Sequence, residues 1–181
     1  KGPADRWRVH FPTRPHEREE DILAEANLRR LLDRFIDFRS PYTIRGSNLY
    51  TVHQRVAKKF RLGRCILVGD SAHVNSPIGG MGLNSGVHDA FNLAGKLTAI
   101  IHGGGDESLL DRYERQRRHI ALSHTQADTM QNKRRLSEQD PAVRQKNQDQ
   151  LRRTSEDPEA ARKFLLRTSL FDSLREAEAI A

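Results

Sequence analysis

The chain opens on an alternating run, Arg6-Trp7-Arg8-Val9-His10-Phe11-Pro12. Trp7, Val9 and Phe11 fall on one face at a period of two, so a short strand is expected, closed by Pro12. Over residues 21–38 the spacing changes to three and four, with Ile22, Leu23, Ala26, Leu28, Leu31, Leu32, Phe35 and Ile36 apolar. That pattern predicts an amphipathic helix, stopped by Ser40-Pro41. Residues 42–52 are rich in Tyr, Thr, Ile and Val around Gly46-Ser47-Asn48 and predict two short strands joined by a turn.

In the middle of the chain, Cys65-Ile66-Leu67-Val68 is a continuous apolar run between Gly63 and Gly69, the pattern of a strand buried on both faces. A glycine-rich loop, residues 75–82, follows it. Residues 84–102 then place Val87, Ala90, Phe91, Ala94, Leu97, Ile100 and Ile101 at helical spacing, ended by Gly103-Gly104-Gly105. From Ser108 the pattern is helical and increasingly polar, with one helix running toward Leu136. Asp140-Pro141 and Asp157-Pro158 each set a proline where a new helix can begin.

Composition narrows the class. A chain of 181 residues is one domain or slightly more, and it can bury a core without disulfides or metal. Lys and Arg number 31 against 24 acids, a formal charge of +7. The basic stretch 133–153 has no interleaved aromatics, so it reads as a solvated helix face rather than a nucleic-acid surface. The single cysteine, Cys65, excludes an internal disulfide and any multi-cysteine metal site, and suggests a reducing, cytoplasmic setting. No apolar run is long enough for a membrane helix, and no membrane partner is expected. The chain starts Lys1-Gly2-Pro3 without methionine, so a piece of a longer polypeptide is expected.

The stretch that carries chemistry is residues 69–84. Asp70 directly follows the apolar strand, at the carboxyl end where open α/β sheets bind ligands, and its carboxylate can accept hydrogen bonds from ligand hydroxyls. Gly79, Gly80 and Gly82 remove side chains just before a helix, so a ligand can approach the backbone. Free N–H groups near Leu83 and Asn84, at the positive end of the helix dipole, favour a flat or anionic acceptor. The glycines taken alone fit a simple tight turn equally well. The dinucleotide fingerprint is absent, because Gly80-x-Gly82 is followed by Gly86 one residue too late. His73, on a loop after a buried strand, reads as structural rather than catalytic.

Taken together, three segments resemble the second FAD-binding motif of the class A flavoprotein monooxygenases, the aromatic hydroxylases similar to para-hydroxybenzoate hydroxylase. They are residues 63–73 (Gly63-Arg64-Cys65-Ile66-Leu67-Val68-Gly69-Asp70-Ser71-Ala72-His73), Pro77-x-Gly79-Gly80-x-Gly82-Leu83-Asn84-x-Gly86 and Asp89-Ala90-x-Asn92-Leu93-x-x-Lys96-Leu97. The likeness extends from Arg55-x-Ala57 to Tyr113-Glu114-x-Gln116-Arg117-Arg118, and more weakly to Arg6-Trp7-Arg8-Val9.

The resemblance implies an α/β fold with α+β character. Residues 1–54 belong to a substrate-binding domain, 55–106 to the second part of a Rossmann-like FAD-binding domain, and 107–181 to a helical tail. It implies FAD as cofactor, NAD(P)H as co-substrate, and O2 and a small aromatic substrate as partners. In that family oxygen adds at flavin C4a, and the hydroperoxide hydroxylates a phenol. Gly69 and Asp70 would meet the ribityl chain. Gly80, Gly82, Leu83 and Asn84 would face the flavin edge, with Pro77 beside the ring and its carbonyl toward substrate. Asp89, Asn92 and Lys96 would hold the helix in the fold.

The family's N-terminal ADP-binding unit has no counterpart here, so that half is an expected partner and FAD should be held poorly without it. Met81 and His119 depart from the family's common glutamine and proline. No catalytic residue is assignable; His10, Tyr42, Tyr50 and His53 lie on candidate pocket strands without earning that role. An epoxidase, halogenase or flavin reductase, or a non-catalytic basic binding module, are the alternatives.

Overall fold

A computed structural model describes residues 6–14, 16–35, 37 and 41–181. The chain divides into two compact units, Lys1–Thr51 and Val52–Ala181. In the first, α1 (Glu19–Leu23) and α2 (Glu25–Phe35) occupy the stretch expected as one helix; Ala24, at φ −56° and ψ 130°, breaks it. Ile36, Phe38 and Ser40 of that expected helix and its stop lie outside the described residues. Neither 6–11 nor 41–54 forms a paired strand, contrary to the alternation at Trp7 and the β-rich composition of 42–52. A strand needs a neighbour for its N–H and C=O groups, and no described residue pairs with these segments. Tyr50 and His10 instead meet side chain to side chain (3.0 Å), and the Tyr42 hydroxyl donates to Asp33 (2.7 Å).

The second unit is built of helices around two small antiparallel ladders. β1 (Arg55–Val56) pairs with β4 (His73–Val74), while β2 (Arg61–Leu62) and β3 (Cys65–Ile66) form a hairpin. The hairpin loop is Gly63-Arg64, and Gly63 at φ +59° supplies the left-handed conformation such a turn demands. The apolar run 65–68 is therefore not a strand buried on both faces. Its neighbour lies on one side only, and Leu67 is 36% exposed. No parallel pair occurs among the described residues, so the observed architecture is helix-dominated.

Long helices follow: α3 (Met81–His102), α4 (Ser108–Ile120) and α5 (Ala127–Ser137), with a π-helical turn at Ala121–Gln126 between the last two. The expected 108–136 helix is thus one rod with an inserted π turn. Beyond it lie α6 (Pro141–Glu156), α7 (Pro158–Thr168) and α8 (Phe171–Ala179). Both prolines stand in the first turn as expected. The Asp140 carboxylate caps the Ala142 N–H, and Asp157 caps those of Glu159 and Ala160. No helix among the described residues is long and apolar enough to cross a membrane.

Phe60, Ala72, Tyr113 and Ala121 form the buried core, with Val56, Ala57, Ile66, Val68 and Leu93 packed against them. α4 fixes the ladders to this core with polar side chains. The Tyr113 hydroxyl donates to the Leu67 carbonyl (2.8 Å), and Arg118 Nε donates to the Ala57 carbonyl (3.1 Å). One Glu114 oxygen accepts the N–H groups of both Phe60 (2.6 Å) and Arg61 (2.7 Å). Glu114→Ala strands both donors and is expected to cost about 3–6 kcal/mol, since bonds to charged groups are worth about 1.5–3 kcal/mol each. Urea unfolding checks this; a loss below about 0.5 kcal/mol would contradict the role given to Glu114.

Candidate functional site

Val68 leads into a 3-10 turn, Gly69–Ser71, which presents Asp70 to solvent. The turn is closed locally: Ser71 Oγ accepts the Val68 N–H (2.9 Å) and donates to the Val68 carbonyl (2.8 Å). Gly69 is buried at φ +59°, and its Cα faces Gly86 of α3 so closely that a Cβ on Gly86 would stand 3.2 Å away. Turn and helix therefore meet backbone to backbone. The Asp70 carboxylate has no partner among the described residues.

The glycine loop ends in a β-turn in which the Gly80 N–H donates to the Pro77 carbonyl (3.1 Å). Gly79, at φ +101°, holds the position that requires a positive angle in a type II turn. α3 starts at Met81, three residues earlier than the expected Asn84. The N–H groups of Met81, Gly82 and Leu83 are thus the ones without intrahelical acceptors. Asn84 lies at the end of the first turn, where its side chain donates to the Gly80 carbonyl (3.3 Å). Asp70, Pro77, Gly80, Leu83 and Asn84 are all exposed, Gly82 is half-buried, and Gly69 is buried.

Beneath this surface lies a buried ionic centre. Asp89 and His73 have no exposed side-chain surface and Arg117 almost none. Asp89 Oδ2 accepts the Gly69 N–H (3.1 Å) and His73 Nε2–H (2.7 Å), while Oδ1 accepts Arg117 Nε–H (2.5 Å). The remaining imidazole nitrogen, Nδ1, accepts from the Asn75 amide (3.2 Å). Both ring nitrogens of His73 are occupied within the fold, which fits a structural histidine. Burial pushes the Asp89 carboxyl up, but the His73 hydrogen bond and the Arg117 charge outweigh it and hold the group below the usual carboxylate range.

The rest of the α4 motif is equally engaged. Gln116 Oε1 accepts from Asn92 (3.1 Å) and Lys96 (2.7 Å), joining α4 to α3. The fully buried positions of α3 are Met81, Ser85 and Asp89, and Leu93 packs on the core, while of the apolar positions expected at helical spacing Leu97 and Ile100 are half-buried and others face outward. Phe91 is 77% and Ile101 67% exposed. Sequence reasoning also missed a second cluster, in which Glu176 of α8 accepts from His119 (2.5 Å) and His124 (2.6 Å). The π turn puts those two histidines, five residues apart, on one side of the rod. No spacing rule for an α-helix signals that.

Residues 2–128 match the FAD binding domain family, and the chain belongs to it. The para-nitrophenol 4-monooxygenase of Pseudomonas sp. (strain WBC-3) is 36% identical over 88% of this chain and 40% of its own length. A 3-(3-hydroxy-phenyl)propionate/3-hydroxycinnamic acid hydroxylase of Mycolicibacterium vanbaalenii is 38% identical over 68% of this chain and 22% of its own. Among solved structures, the p-nitrophenol 4-monooxygenase PnpA of Pseudomonas putida DLL-E4 superimposes with a TM-score of 0.69 at 37% identity. It covers 80% of this chain and 39% of the other. The chain thus spans two fifths or less of the length of these relatives.

Because the Asp89 carboxyl is depressed in the folded state, its contribution is complete above its unfolded value of about 3.9 and is lost as pH falls through the lower folded value. Stability to urea should therefore drop below about pH 4. Asp89→Asn should lower stability at pH 7 and flatten that acid slope. An identical slope in the variant would contradict the assignment.

Proposed function

We propose that this chain is the flavin-facing, C-terminal part of an FAD-dependent monooxygenase that hydroxylates an aromatic or phenolic substrate. NAD(P)H is the reductant and O2 the oxidant. One oxygen atom enters a ring C–H bond; the other leaves as water, with two electrons from NAD(P)H.

The observation that carries this reading is the unpartnered, exposed Asp70 carboxylate on a turn fixed from below, in the same unit as a glycine loop that opens α3. A free acceptor, side-chain-free backbone and unpaired helix N–H groups are the donor and acceptor set that a ribityl chain and a flavin edge need. The residues present fit FAD. Asp70, with Gly69 behind it, accepts hydrogen bonds from the ribityl hydroxyls. Gly80 and Gly82 leave room for the ring at the helix start. The N–H groups of the first turn, at Leu83 with Asn84 behind it, favour negative charge at the pyrimidine edge. Pro77 borders the substrate; its carbonyl already accepts the Gly80 N–H and keeps one lone pair free. Bound FAD supplies electron transfer and oxygen activation; the chain orients it and keeps water out.

We assign residues 1–54 to the substrate-binding domain, 55–106 to the second part of a Rossmann-like FAD domain and 107–181 to the helical tail. The apolar flank of α3, with Leu83, Val87 and Phe91 exposed, supports a further layer over it, as an ADP-binding half would provide.

Purified with that half, the protein is expected to carry FAD and to oxidise NAD(P)H faster when its phenolic substrate is added, giving a product heavier by one oxygen atom. Asp70→Ala should weaken FAD binding by about 10- to 100-fold, the worth of one charge-assisted bond. A flavin-free protein, or unchanged FAD affinity in Asp70→Ala, would overturn the proposal. A chlorinated product would instead assign a halogenase.

A further inference from the structure

We propose that Asp89 is a positioning residue for the cofactor. Its buried carboxylate grips both ends of the turn that carries Asp70 and so sets where the Asp70 carboxylate stands. The inference rests on the reading that Asp70 meets the ribityl chain.

Gly69 and His73 flank Asp70-Ser71-Ala72, and one oxygen, Asp89 Oδ2, accepts from both: the Gly69 N–H at 3.1 Å and His73 Nε2–H at 2.7 Å. The turn cannot slide along the helix without breaking one of these bonds. Nor can it move closer, because Gly69 and Gly86 already touch through their backbones. Asp89 Oδ1 is held in turn by Arg117 of α4, whose Nη2 also donates to the Ser85 carbonyl (3.4 Å), so the carboxylate itself cannot rotate.

A buried ion pair is a poor way to gain stability, since apolar side chains of similar volume serve as well or better. What a charge provides here is direction. Two donors from one turn converge on one oxygen, and the only carboxylate on the turn's outer side is Asp70. Asp89 therefore acts through Asp70, and its effect on FAD should depend on Asp70 being present.

The test is a double-mutant cycle on FAD affinity in the FAD-loaded protein, purified with its ADP-binding half: Asp70→Ala, Asp89→Asn and the pair. Asp89→Asn is expected to weaken FAD binding about tenfold on its own and less than about twofold when Asp70 is already Ala. A general loosening of the fold would give the same factor in both backgrounds. Equal factors, or unchanged affinity in a folded Asp89→Asn protein, would overturn the inference while leaving the reading of Asp70 intact. If Asp70→Ala itself leaves FAD affinity unchanged, the reading of the site fails and this inference with it. Should Asp89→Asn not fold by circular dichroism, His73→Gln takes its place in the cycle. It loosens one of the two grips and is expected to show the same dependence on Asp70; equal factors there overturn the inference.

Discussion

The meeting of Asp89 and Arg117 inside the second unit is the contact on which the remaining geometry depends. The two side chains come from α3 and α4 and have almost no exposed surface. Removing one partner leaves an uncompensated buried charge, which is far costlier than the pair itself is stabilising. Around it, His73 and Gly69 attach the β1–β4 ladder and its turn to α3. Gln116, next to Arg117, joins the same two helices through Asn92 and Lys96. α3 and α4 are thus joined by oriented polar groups, while Phe60, Ala72, Tyr113 and Ala121 form the apolar core.

That division explains which features were legible in the residues. The helix starts at Pro141 and Pro158 were, because aspartate caps and first-turn prolines act locally. The glycine loop was legible for the same reason, although α3 begins at Met81 because Gly80, at φ +65°, already turns the chain. The run Tyr113-Glu114-x-Gln116-Arg117-Arg118 reads in the sequence only as part of an increasingly polar helix that carries the family likeness. Its polarity serves backbone groups of distant segments, Leu67, Phe60, Arg61 and Ala57, which periodicity cannot reveal.

Strands were the least legible. A β-branched, alternating segment advertises a capacity to pair, and pairing requires a neighbour. Trp7, Val9 and residues 42–52 have that capacity without a described partner strand, and Cys65–Ile66 is paired on one side only. The amphipathicity of α3 is met only in part for a related reason. Periodicity located a helix with an apolar stripe, but this chain buries Ser85 and Asp89 along with Met81 and leaves Phe91 and Ile101 exposed. Hydrophobic spacing reports that a face needs covering, not which part of a protein covers it.

The π turn at Ala121–Gln126 decides which side chains of the rod can meet. Five positions apart, His119 and His124 converge on Glu176. Just beyond, the Gln126 carbonyl is left to take up the Gln54 amide, and Asp128 meets Arg167. Each α-helical residue advances the side-chain direction by about 100°. In an unbroken α-helix, side chains five positions apart would stand about 140° apart around the axis, so it is the wider winding of the π turn that lets both histidines reach one carboxylate.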